Sequence, residues 1–330
     1  MPSRNRLRQF SNNKRNSEVI LSARQDFIPT GAYSDLQALL NTRFLVSGLK
    51  LKLVGPSKGI VNGPIRTRFR GRGMEFEEVR IYQPGDDIRT IDWRVTARTR
   101  VPHTKLFTEE RERPVVILVD QRSNMFFGSQ VCFKSVYAST LGAMLGWIGL
   151  SQNDRIGALV FNDNEQCDVR PKRGKHAQLE LVHRLNEFNH KLTSPIAPSG
   201  SLSLSNMFKE TLRIARPGSL VLIISDFHDF SAECEQQLGS ISRHSDITLF
   251  HTFDPIETHW PESELVVSDG KQKMRVSGRD NAFQKQYEAQ FRNNKSKLTH
   301  FANKHAIPLV SMDITTDPAS VLRSIYSGRK

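Results

Sequence analysis

Residues 114–125, PVVILVDQRSNM, decide the fold. Val115 to Val119 form an unbroken apolar run, and a strand with one wet face would alternate, so this one is expected to be buried on both faces. The run stops abruptly at Asp120. A second stretch of the same form, LVLIISD at residues 220–226, ends in Ser225-Asp226. Around these two strands the periodicity predicts a long apolar helix over 131–150, a strand over 156–161 and a short antiparallel strand at 167–169. Helices follow at about 175–189 and 203–215, and after the second strand a helix at about 231–243 and a strand over 247–252. A polar hairpin at about 264–277, a long helix over 282–304, a strand over 307–312 and a last short helix complete the pattern. Strands alternating with helices imply an α/β fold, a Rossmann-like, mainly parallel sheet covered by helices on both faces.

Ahead of Pro114 the pattern differs. Residues 1–33 are polar, basic and aperiodic over most of their length, as expected of a flexible arm. Residues 34–113 are expected to form a small mixed α/β region. Ser34 stands as a helix cap before Leu36, Leu39, Leu40 and Phe44, and glycine–proline pairs punctuate short apolar and basic residues over 49–73. Gln83-Pro84-Gly85-Asp86 is a turn, because proline fixes φ and glycine accepts positive φ. After it Asp86, Asp87, Arg89, Asp92, Arg94 and Arg98 alternate in sign around Ile88, Ile91 and Trp93, which reads first as a structural ion-pair network. The third region, 114–330, is the α/β domain.

The chain has 330 residues and a net charge of +13. Residues 1–73 carry fourteen Lys or Arg against three acids, so the front is basic and the body nearly neutral. An acidic partner would meet the front, where Arg66, Arg68, Arg70 and Arg72 surround Phe69. That patch suits salt-dependent contact with nucleic acid, although one aromatic is a thin stacking platform. An acidic protein surface or anionic lipid would suit it equally. No apolar stretch reaches the ~18 residues of a membrane helix. The three cysteines, Cys132, Cys167 and Cys234, have neither paired nor zinc-site spacing. The cytoplasm is the expected compartment.

Ligands of open parallel sheets bind beyond the carboxyl ends of the strands. Asp120, Asp226 and the Gly-Ser loop around Ser201 would meet there, and their oxygens could hold a hard divalent cation, although Asp after a strand often only caps the next helix. The order of VVILVDQRSNM, the Gly-Ser loop and VLIISDF resembles the von Willebrand factor type A fold. The resemblance implies a metal corner at Asp120, Arg122, Asn124, Ser201 and Asp226. Both aspartates match that family's pattern and Ser201 keeps a hydroxyl, but Arg122 and Asn124 replace its two serines. A guanidinium has no lone pair for a metal. Either Arg122, held near Asp120 and Asp226, takes the place of the ion, or it points outward and a weakened Mg²⁺ site survives. The same corner is the candidate contact surface.

The string GRGMEFEEVRIYQPGDDIRTIDW at residues 71–93, continuing to Gly128, is similar to the bacterial domain-of-unknown-function-58 family, over roughly residues 36–188. The resemblance implies a short N-terminal region joined to a type A-like domain, and a non-enzymatic adaptor working with a MoxR-type AAA+ ATPase in the assembly or maturation of other proteins. No cofactor is expected. The rival functions are a nucleic-acid-associated basic protein and a divalent-metal-dependent binder or hydrolase.

Other chemistries fit less well. GSQVCFKS at residues 128–135 imitates a phosphate-binding loop but has Phe133 where the second glycine must stand, leaving Lys134 a chance resident of the helix start. His176, His183 and His190 share a helix face at two-turn spacing, too far apart for one ion, and read as a solvated face. Asp226, His228 and Asp229 crowd one strand end, but no nucleophile motif accompanies them.

Overall fold

The computed structural model describes residues 27–52, 75–84, 86–108, 113–193, 202–261, 263–268, 273–277 and 281–327. The basic patch at Arg66, Arg68, Arg70 and Arg72, most of the N-terminal arm, and Ser201 lie outside them. The chain divides into two compact units, residues 64–113 and the remainder.

In chain order, helix α1 (Leu36–Leu45) comes first. The smaller unit holds strand β1 (Glu75–Ile81), helix α2 (Trp93–Thr99) and strand β2 (His103–Thr108). β1 and β2 pair as an antiparallel ribbon, and Ile91 bridges to Thr104. The predicted turn is present: the Asp86 amide donates to the Gln83 carbonyl at 3.0 Å.

The larger unit is built on strands β3 (Pro114–Asp120), β4 (Arg155–Phe161), β5 (Gln166–Lys172), β6 (Leu220–Ser225) and β7 (Asp246–Phe253). A hairpin of β8 (Glu264–Ser268) and β9 (Lys273–Ser277) and a last strand, β10 (Leu309–Asp313), follow. The sheet order is β10-β7-β6-β3-β4-β5, with every neighbouring pair parallel except β4–β5. This is the Rossmann-like, mostly parallel sheet that the apolar runs imply. Its helices are α3 (Lys134–Ser151), α4 (Lys175–His190), α5 (Leu204–Ile214), α6 (Ala232–Ser242), α7 (Pro255–Thr258), α8 (Asn281–Lys304) and α9 (Pro318–Tyr326). Alternate residues of β3 supply two cores. Val115, Ile117 and Val119 pack with α1, α3, α4 and α9, while Val116 and Leu118 pack with α5, α6 and α8. Each face of the strand thus has its own layer to bury, which is why the run could not alternate.

Helix α1 belongs to the larger unit and not to the region 34–113, where the change of pattern at Pro114 suggested it would lie. Leu39 and the following Val46, Leu49 and Leu51 join the core under α3. Its cap is Asp35, whose carboxylate accepts from the Ala38 amide at 2.7 Å. Ser34, expected in that role, instead gives its amide to Asn189 and its hydroxyl to Asn186 of α4. Within the expected arm, Gly31 pairs with the loop after β3, taking the Phe133 amide and donating to the Val131 carbonyl. His176, His183 and His190 lie on the wet face of α4, as expected.

Candidate functional site

Strand order reverses between β3 and β6, since β3 leads on to β4 on one side and β6 to β7 on the other. Such a switch point opens the crevice where this class of sheet binds ligands. Asp120 ends β3 there, wholly buried, and Ser225-Asp226 ends β6 beside it.

Arg122 fills the space between them. Its Nε donates to Asp120 Oδ1 at 3.0 Å and its Nη2 to Asp120 Oδ2 at 2.7 Å. On the other side Nη1 and Nη2 donate to Asp229 at 2.8 and 2.9 Å, and Nη1 also reaches the Leu202 carbonyl at 3.4 Å. A guanidinium has five N–H donors, and each has an acceptor here. The residue is 5% exposed. Asp120 is saturated in turn. Oδ1 also accepts the Arg122 backbone amide at 3.0 Å and Oδ2 the Ser225 hydroxyl at 2.7 Å, so two donors face each oxygen. Burial pushes the Asp120 carboxyl up against the pull of Arg122. Asp229 is held below its ordinary range, the Arg122 contacts outweighing its own burial.

Asp226 belongs to a second cluster. Its Oδ1 accepts from Asn124 Nδ2 at 2.7 Å and from the His228 amide at 3.1 Å, and its Oδ2 accepts from Lys134 Nζ at 2.8 Å. Lys134 also donates to Glu257 at 2.8 Å from the start of α7. Burial alone would raise the Asp226 carboxyl, but the Lys134 ammonium holds it well below the usual carboxylate range. The two carboxylates likewise keep Lys134 charged, despite its 2% exposure. Arg122 therefore meets Asp120 and Asp229, whereas Lys134 meets Asp226. The segment between them is pinned elsewhere too. Ser123 donates to Asp163 beyond β4, and Ser129 to Asp254 beyond β7. Carboxylates from the ends of three neighbouring strands thus fix the loop that follows the fourth. Phe227 adopts φ +51° at this corner, a strained conformation for a bulky side chain.

Asp120, Arg122, Asn124 and Asp226 are thus brought together. Lys134 and Glu257 went unread: the lysine was obscured by its phosphate-loop surroundings, and nothing local ties it to a carboxylate 92 residues away. Asp229, noted only for crowding the strand end, is the second counter-ion of Arg122. Among the described residues, the donor set does not suit a divalent cation. Every lone pair of Asp120 already faces an N–H or O–H, and a guanidinium and an ammonium occupy the positions around the carboxylates.

In the charged loop of the smaller unit the described contacts of the acids run both to a guanidinium and to backbone amides. Asp86 meets Arg80 at 2.6 Å, a partner outside the expected set. Asp87 caps a short 3₁₀ turn through the Arg89 amide, and Asp92 caps α2 through the Arg94 and Val95 amides. Arg89, Arg94 and Arg98 are exposed, as are Ile88 and Trp93.

Among the described residues no helix is long and apolar enough to cross a membrane. Comparison with known proteins gives two uncharacterized relatives. One is Rv1480 of Mycobacterium tuberculosis (strain ATCC 25618 / H37Rv) and the other Mb1516 of Mycobacterium bovis. Each is 28% identical over 225 residues, covering 68% of this chain and 69% of the relative. The family model described as "Protein of unknown function DUF58" matches residues 78–297, reaching well past the expected limit near 188 and taking in both clusters of the corner, so this chain belongs to the DUF58 family.

Proposed function

We propose that the protein is a non-enzymatic adaptor that binds another protein, and that its partner is a MoxR-type AAA+ ATPase acting in assembly or maturation. The observation that carries the binding role is the apolar surface of the smaller unit. Trp93 is 68% exposed and Ile88 66%, within a turn whose Asp87 and Asp92 cap backbone amides, whose Asp86 holds Arg80, and whose Arg89, Arg94 and Arg98 are exposed. Tryptophan and arginine side by side at a surface are the residues that most often anchor protein interfaces. The ATPase as partner rests on the family resemblance. The corner supports a role without catalysis, because Asp120, Arg122, Asp226 and Lys134 are mutually satisfied and, among the described residues, no nucleophile is aligned with a base. In this reading the type A-like corner is a metal-independent scaffold, with Arg122 standing where that family's ion would be.

The test is direct binding of the purified full-length chain to the MoxR-type ATPase of the same genome. Saturable binding that weakens at least about tenfold in Ile88→Ser/Trp93→Ser is expected. Absence of binding, with and without nucleotide, refutes the partner. For the corner, the melting temperature should be the same in Mg²⁺ and in EDTA, and a large Mg²⁺ stabilisation would contradict the scaffold reading. Arg122→Ser should introduce a Mg²⁺ response where the parent has none.

A further inference from the structure

We infer that the opposite pole of the sheet carries a binding cleft for phosphate-bearing anions. A cleft of about 430 Å³ opens at the amino ends of β3 and β4. Five cations line it, Arg155, Arg170, Lys172, Arg213 and Arg216, against a single acid, Asp168. They come from three elements: the start of β4, the edge strand β5, and the end of α5 with the residues after it. All five are exposed.

The fold offers no account of this convergence. Charge on an edge strand discourages sheet-to-sheet association, which would explain Arg170 and Lys172. It does not explain Arg213 and Arg216, which reach the same space from a helix end. Arg213 is tied to Glu210 at 2.9 Å. Among the described residues, Arg170, Lys172 and Arg216 have no carboxylate partner. These three like charges, gathered without counter-ions, cost free energy, which a bound anion would return.

The strand is shaped to present them. β5 carries an extra residue where it passes β4, because Ile156 to Ala158 on one side spans Lys172 to Val169 on the other. Pro171 sits in this bulge, and a Cβ on the facing Gly157 would come within 2.7 Å of its ring. Bulges re-aim side chains beside binding sites, and here Arg170 and Lys172 flank the rigid Pro171, which forms the cleft wall with Ile214. Arginine forks match phosphate oxygens two at a time. The volume lies in the range of small-molecule sites. The ligand class is therefore a phosphate-bearing anion with a small apolar or planar portion, supplied by a free nucleotide or by a nucleic-acid strand.

The experiment uses the full chain at low salt. Pyrophosphate and ATP are titrated calorimetrically, and a short labelled single-stranded DNA is followed by anisotropy with pyrophosphate as competitor. One-to-one saturation by ATP assigns the phosphate to a nucleotide. DNA binding that pyrophosphate displaces assigns it to a strand. In either case Arg170→Ser/Arg216→Ser should weaken binding at least about tenfold, while Lys297→Ser/Lys304→Ser on α8 should not. Circular dichroism of both variants verifies that they fold. The inference is overturned if neither anion saturates, if both double variants weaken binding equally, or if DNA binding survives pyrophosphate and the cleft substitutions.

Discussion

At the carboxyl ends of β3, β6 and β7, Arg122 and Lys134 are sunk among Asp120, Asp226, Asp229 and Glu257, each within 3 Å of two carboxylates. At the amino ends of the same sheet, Arg170, Lys172 and Arg216 stand in water with Asp168 as the one acid of their cleft. The difference follows from burial. A charge taken out of water is tolerated only when paired and hydrogen-bonded, so the carboxyl pole has had to complete its own network. A charge left in water can remain available to a ligand. One pole is finished architecture, and the other is open.

The largest effect should come from unpairing the finished pole. Arg122→Met leaves Asp120 buried without its counter-ion and should cost about 3–5 kcal/mol, measured by denaturant unfolding. A loss below about 1 kcal/mol would mean that the network is incidental. Lys134→Met should cost about 3 kcal/mol at neutral pH by the same reasoning. The pH dependence supplies its signature. The folded Asp226 carboxyl titrates below its unfolded value of 3.8, so its contribution is complete above that value and is lost as pH falls towards the lower folded one. Without Lys134 the buried carboxyl favours its proton, and the deficit of the variant should narrow as pH falls through the carboxylate range.

His251, near the end of β7, adds a third test at the same pole. Burial lowers its pKa from 6.5 to about 4, and its Nδ1 has no hydrogen-bond partner. The unfolded chain therefore takes up a proton on this residue first, and stability should fall as pH drops from 6.5 to about 4, by on the order of 3 kcal/mol. His251→Phe should flatten that slope, and an unchanged slope would place the titration elsewhere. The smallest effect belongs to the open pole. Arg170→Ser and Arg216→Ser should each change stability by no more than about 0.5 kcal/mol, with the sign towards stabilisation because like charges are removed. A loss above about 1 kcal/mol would show that these residues hold the fold together.

The strands of the larger unit were legible because burial on both faces leaves an unmistakable apolar run, as in Val115–Val119 and Leu220–Ile224. Asp120 and Asp226 were legible because each ends such a run. The pairing was not. Arg122 was expected between Asp120 and Asp226: it pairs with Asp120 and lies near enough to Asp226 to help lower its carboxyl, but its second hydrogen-bonded carboxylate is Asp229, three residues further on, where the chain turns through Phe227. Lys134 looked like an accident of helix α3 because its partners lie 92 and 123 residues away, beyond the reach of local pattern. The same holds for α1, whose apolar residues announce a helix but cannot name the surface that covers it. The amino-pole cleft had no local signature at all, since its cations are single residues scattered over three elements.

The separation of Arg122 from its partners has a consequence for the order of assembly. Asp120 has its first counter-ion two residues away, available as soon as the segment leaves the ribosome. Ser225 and Asp229 arrive more than a hundred residues later. The nascent β3 can thus enter a forming core with its carboxylate already neutralised, while Lys134 must wait for both Asp226 and Glu257. Closure of long loops is slow relative to local contact formation. The Arg122–Asp120 pair should therefore be present in the rate-limiting step of folding, and the Lys134 clasp should close after it, as the latch that makes the finished molecule slow to reopen.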